Sequence, residues 1–129
     1  MRREILGHPD WHELDRGTLP RPEAIRRAAQ RTGLPETAVD AFLQRVPTAL
    51  VPIPATVDLL HRVKAAGHPL YCLSNMHVAS IDHLERSCTF WDVFDGIVIS
   101  CRVHLCKPEP AIYRHLLETH GLVGGDTVF

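Results

Sequence analysis

The chain has 129 residues, enough for one domain with a real core, and its 45% apolar and 22% charged content is that of an ordinary globular protein. A net charge of −1, with Arg and Glu interspersed, argues against a nucleic-acid or membrane-surface face, and no run is apolar enough to span a bilayer. Met1-Arg2-Arg3 leads into Glu4 instead of an apolar run, so no signal peptide is predicted and the expected location is cytoplasmic.

Residues 1–19 show no clean period; their markers are Trp11, Leu14 and Gly17. His8 and His12 stand four apart, a metal-ligand spacing on a helix, but Pro9 between them argues for solvated or capping roles. Trp11 is a candidate for lining a substrate pocket, with a place in a small helical core as the alternative. Arg21–Thr32 is predicted helical, with Pro22 in its first turn, Ile25, Ala28 and Ala29 as an apolar stripe, and Gly33 as its stop. Pro35–Val46 repeats the form with Val39, Phe42, Leu43 and Val46. Arginines 26, 27 and 31 form a basic face, read as solvated in preference to a substrate clamp. Three prolines at 47, 52 and 54 mark a linker, and Pro54 opens a further helix to Ala66, with Gly67 ending it.

Leu70–Leu73 reads as a short strand buried on both faces, ending in Ser74-Asn75, and a helix from about His77 to Ser87 follows. A strand that stops in a hydroxyl and an amide before a helix suits an anion. Gly96–Ser100 is the second predicted strand, and Lys107 follows it in Cys106-Lys107-Pro108-Glu109-Pro110. Successive strand ends of a parallel sheet share one edge, so Lys107 is expected to face the same anion as Ser74. Helix Pro110–His120 comes next, and Thr127-Val128-Phe129 is predicted to begin a third strand. Cysteines 72, 88, 101 and 106 lack the paired spacing of a zinc site, even with His104 between the last two, and are expected to be reduced thiols.

Leu73-Ser74-Asn75 followed by Lys107-Pro108-Glu109-Pro110-Ala111-Ile112-Tyr113 resembles the second and third motifs of the haloacid dehalogenase-like (HAD) hydrolase superfamily. The likeness runs over nearly the whole chain and is strongest to its small phosphatases acting on sugar phosphates. It implies an α/β fold: a partial Rossmann-like HAD core, βαβαβ with parallel strands, over residues 54–129, with an N-terminal helical cap segment over residues 1–53. By the same resemblance Ser74 and the Asn75 backbone would hold a phosphoryl oxygen, and Lys107 would neutralise its charge and orient the nucleophile, which is what phosphoryl transfer requires. Trp11 and Met76 are the further candidates for the pocket wall.

The resemblance also implies Mg²⁺, a nucleophilic Asp and a second Asp two residues on, carried by a first motif and completed by a fourth. Neither motif is found. Asp95-Gly96-Ile97-Val98 has Ile97 where the second Asp belongs, and Asp95 precedes its strand instead of ending it, so it reads as a turn. Three expectations stand together. The chain is part of a phosphatase for a small phosphorylated metabolite, acting through a phospho-aspartate, and is inactive alone as a fragment. Alternatively it derives from a 2-haloacid dehalogenase, which needs no metal, or it is a non-catalytic truncated binding module. Without the first-motif strand, Leu70–Leu73 would be an open edge and a route to self-association.

Overall fold

The computed structural model describes residues 2–129. Four helices come first: α1 (Arg2–Ile5), α2 (Pro9–Arg16), α3 (Arg21–Thr32) and α4 (Glu36–Thr48). Helix α5 (Pro54–Ala65) leads to strand β1 (Tyr71–Ser74), then α6 (Val78–Ser87), a 3₁₀ turn at Phe90–Val93 and β2 (Gly96–Ile99). The short α7 (Ser100–Val103), α8 (Pro110–His120) and a second 3₁₀ turn at Gly124–Asp126 complete the chain. This is a partial α/β core behind a helical segment.

Capping explains the helix bounds. Pro9 occupies the first turn of α2, and the His8 ring accepts the Asp10 N–H at 3.1 Å, so His8 caps the helix that His12 lies within. Gly17 ends α2 with φ 78°, and its N–H closes back onto Leu14 O at 3.0 Å. A Cβ at Gly17 would lie 2.6 Å from the Cys101 carbonyl oxygen, so only glycine lets the helical segment approach α7 this closely. Helix α4 runs through Pro47 to Thr48, further than expected. Proline's fixed φ is already helical, and so close to the end it removes only one hydrogen bond.

The apolar stripe of α3 packs with α4: Ile25, Ala28 and Ala29 bury against Val39, Leu43 and Ile5. On the other side of that stripe Arg26 and Arg27 pair with Glu23, and Arg31 with Asp10. Strand β2 feeds both faces of the sheet, as its period of two demands. Ile99 joins Ile81 of α6 and Cys101, while Val98 joins Ile112 and Leu116 of α8.

β1 and β2 pair in parallel, with Cys72 opposite Ile97 and Leu73 opposite Val98. Asp95 pins their leading ends: its N–H donates to Leu70 O at 2.7 Å, and its carboxylate accepts from the Leu70 N–H at 2.8 Å and from Lys64 Nζ at 2.6 Å. The Lys64 ammonium lowers the Asp95 carboxyl below its usual value. Asp95 is therefore the turn its sequence position indicates.

Two expectations need correction. Residues 127–129 form no strand, because the described sheet has only β1 and β2 and offers them no hydrogen-bonding neighbour. Val128 is 98% exposed, and Phe129 instead leans edge-on against Tyr113. All four β1 residues are half-buried, short of the full burial expected: Cys72 packs on one face and Tyr71 and Leu73 on the other, but one flank of β1 is unpaired among the described residues. A groove of about 760 Å³ runs along that flank, between Val63 of α5 and the segment Asp126–Phe129.

The helical segment sits on the α/β part through α4 against α6 and α2 against α7. At its centre is Ser100, fully buried, whose hydroxyl donates to Asp15 O at 2.5 Å and accepts the Met76 N–H at 2.8 Å. Among the described residues no helix is long and apolar enough to cross a membrane.

Candidate functional site

β1 ends at Ser74, and the chain leaves the sheet through Asn75, Met76 and His77 before α6 begins. Beside this exit runs the loop from β2 and α7 into α8, which carries Lys107. The Asn75 amide joins the two: its Nδ2–H donates to Lys107 O at 2.9 Å, and its Oδ1 accepts the Lys107 N–H at 2.8 Å. The Lys107 ammonium then donates to Leu73 O at 2.7 Å, the carbonyl immediately before Ser74. Ser74, Asn75 and Lys107 thus gather at one end of β1, on the same edge of the sheet.

This cluster offers a hydroxyl, an amide and an ammonium, the donor set of an anion site. Mg²⁺ is held in near-octahedral array by one or two carboxylates together with water and phosphate oxygens, and these three residues, which carry no carboxylate, do not fit it. No group of three or more His, Cys, Asp or Glu able to hold a metal occurs among the described residues. Cys101 and Cys106 are buried free thiols, as Cys72 and Cys88 are less buried ones. Burial pushes the Cys72 thiol up, and the nearby Lys107 charge only partly opposes it.

The remaining candidates lie nearby with other contacts. The Met76 N–H is taken by Ser100, so it is not among the amides open to a ligand, and the Met76 side chain packs on the cluster around Ile81 and Ile99. Trp11 packs against both apolar clusters of the helical segment, its ring edge-on to His77 at 5.3 Å between centroids. His77 is 7% exposed, with Nδ1 3.3 Å from the Asp15 carboxylate and Nε2 3.2 Å from the Ser80 hydroxyl.

Sequence reasoning missed the charges that flank Lys107. Arg16, at the end of α2, makes a two-point contact with Glu109: Nη1 reaches Oε2 at 2.9 Å and Nη2 bonds Oε1. The guanidinium holds the Glu109 carboxyl down at about 2. With a sequence separation of 93, no local pattern could have paired these two; only the presence of Glu109 beside Lys107 was a hint.

Ser-Asn closing one strand and Lys-Pro following the next are the features on which the likeness to hydrolases turns, and comparison with known proteins extends it. A sesquiterpene phosphatase, astK, of Aspergillus oryzae is 25% identical over 125 residues, which is 97% of this chain and 64% of that protein. The chain thus spans slightly less than two thirds of that relative's length. No solved structure matches it. Residues 5–129 match the haloacid dehalogenase-like hydrolase family, and on that match, carried by nearly its whole length, the chain belongs to that family.

Proposed function

We propose that Ser74, Asn75 and Lys107 form the phosphoryl-binding part of a phosphatase acting on a small phosphorylated metabolite. One observation carries the reading: the Asn75 amide bonds Lys107 on both sides of its backbone and brings the ammonium to the end of β1. There a fixed positive charge and a hydroxyl would meet the spread negative charge of a transferring phosphoryl group. Lys107 would neutralise that charge, Ser74 would hydrogen-bond one oxygen, and the Asn75 side chain would hold Lys107 in place.

The relative's name supports phosphate ester chemistry over carbon–halogen chemistry and suggests a substrate whose alcohol part is apolar. Residues 1–53 would act as the cap segment and 54–129 as part of the core. The phospho-aspartate route, its nucleophile and a Mg²⁺ site belong to the whole protein as proposals, since the residues present here do not fit that metal. Alone, the 129-residue chain is expected to bind phosphate without turning over an ester. Four free thiols suit a reducing compartment, consistent with a cytoplasmic protein.

The test is binding of inorganic phosphate by the purified chain, followed by calorimetry in Lys107→Ala and Ser74→Ala. Loss of binding in both variants is the expected result. Equal phosphate affinity in the parent chain and Lys107→Ala would remove the site from consideration.

A further inference from the structure

We infer that Arg16 is a positioning residue for Lys107, so that the helical segment sets how that ammonium is presented to an anion. The inference rests on the reading of Lys107 as the anion's counter-charge.

Contacts from the end of α2 bracket Lys107. Glu109, two residues after it and immediately before α8, is held by both ends of the Arg16 guanidinium. His104, three residues before it, gives its carbonyl to Arg16 Nη1 at 3.4 Å, and its Nδ1 lies 3.0 Å from Arg16 O. From the other direction Asn75 holds the N–H and carbonyl of residue 107 itself. The loop is thus fixed by two groups, one from β1's exit and one from the helical segment. Arg16 is 19% exposed and Glu109 39%, and a forked guanidinium–carboxylate pair with that shielding outweighs an ordinary surface ion pair. His12 Nε2, 3.8 Å from the same carboxylate, adds attraction only when protonated.

Arg16 does two things for Lys107. It fixes the backbone from which a flexible four-carbon side chain must reach Leu73 O. It also neutralises Glu109, whose carboxylate, once unpaired, stands two residues from the ammonium and competes with any bound anion for it. The second effect separates positioning from mere support. Removing Arg16 leaves a competing charge, whereas removing Glu109 does not. A purely structural pair would make the two losses equal.

The chain has only two lysines, Lys64 and Lys107, so trace acetylation with acetic anhydride reads Lys107 against an internal reference. Lys64 is engaged with Asp95 at the far end of the strands. In the parent chain inorganic phosphate is expected to protect Lys107 and not Lys64. In Arg16→Gln the unpaired Glu109 carboxylate engages the ammonium, so the Lys107-to-Lys64 ratio should fall several-fold, and half-protection should need about tenfold more phosphate, a loss near 1.4 kcal/mol. Glu109→Gln should lose less, and the double variant should recover most of what Arg16→Gln lost. A folded Arg16→Gln with the parent ratio and protection would overturn the inference, as would equal losses in both single variants with no recovery in the double. Should Arg16→Gln not fold, an unaltered ratio in Glu109→Gln would overturn it equally. If phosphate protects neither lysine, the anion reading fails, while the ratio without phosphate still decides whether Arg16 positions Lys107.

Discussion

One side chain, Asn75, makes the hydrogen bonds to Lys107 that a neighbouring strand would otherwise make, at 2.8 Å to its N–H and 2.9 Å to its carbonyl. The two residues are 32 apart in sequence and belong to loops that leave the ends of adjacent strands. A side-chain amide carries a donor and an acceptor side by side in one plane, which is what a backbone N–H and C=O of one residue require. Aspartate could accept from the N–H but would face the Lys107 carbonyl with a second acceptor.

Asn75→Ala should therefore cost stability and binding together. Two part-buried backbone groups would lose their partner, at roughly 1–3 kcal/mol for the desolvated pair. The midpoint of thermal unfolding should fall by several degrees, and protection of Lys107 by phosphate should weaken although Asn75's side chain points at the lysine. Differential scanning calorimetry with the acetylation assay checks both. A stable variant with full protection would show that the clamp is dispensable.

The Arg16–Glu109 pair predicts how stability responds to acid. Glu109 is held near 2, against an ordinary glutamate value of 4.5, because Arg16 favours the ionised form. A depressed native value means the pair stabilises fully above about pH 4.5 and loses that contribution as pH falls toward 2. Glu23, held near 2 by Arg26 and Arg27, loses its contribution over the same window. The stability difference between the parent and Glu109→Gln should be constant above pH 5 and shrink toward zero near pH 2. Urea unfolding across that range measures it, and a difference independent of pH would show that the charge contributes nothing.

Much of the helical framework was legible because its signals are local. Arg21–Thr32 and Pro110–His120 occur with the bounds expected, each opened by a proline in the first turn and closed by a glycine in the left-handed region. The third strand was not legible, because Thr-Val-Phe states a propensity and cannot state whether a neighbouring strand exists. The same limit applies to the site. Ser74 and Lys107 could be named from motif likeness, but the Asn75 amide's use on Lys107 and the Arg16–Glu109 contact depend on tertiary placement. Trp11 showed the ambiguity of a lone aromatic, since its contacts are with apolar clusters and the His77 ring.

Gly17 and Gly33 make a matched pair for testing how the helical segment is seated. Both adopt φ near +70 to +80°, but only Gly17 is pressed against another element, with a Cβ position 2.6 Å from Cys101 O. Gly33→Ala has open space and should lose only the left-handed penalty, about 1–2 kcal/mol. Gly17→Ala should lose that and more, since α2 must move off α7, and Lys107 reactivity should shift in the same direction as in Arg16→Gln. Equal losses by equilibrium unfolding would mean that the segment is not held against α7 at this point.

The open flank of β1 gives the last prediction. Its outward N–H and C=O groups have no strand neighbour among the described residues, and the groove beside it is lined by Leu70, Tyr71, Leu73, Leu116 and Leu122. Among the described residues only Leu73 O is covered there, by the Lys107 ammonium. An apolar strand edge with unmet hydrogen bonds recruits other strands, and the exposed Val128 and Phe129 on the groove's far wall add to the attraction. The isolated chain should therefore associate, eluting from size exclusion at a position that shifts with concentration and unfolding with a concentration-dependent midpoint. Leu70→Lys, at a half-buried position on the groove, places a charge on the edge and should reduce association without unfolding the chain. Phosphate should leave the association unchanged if the edge alone drives it, because the ion's partners lie at the strand's end. A monomer at every concentration, with one cooperative transition in both the parent and Leu70→Lys, would mean that residues 126–129 shield the edge well enough to keep other strands out.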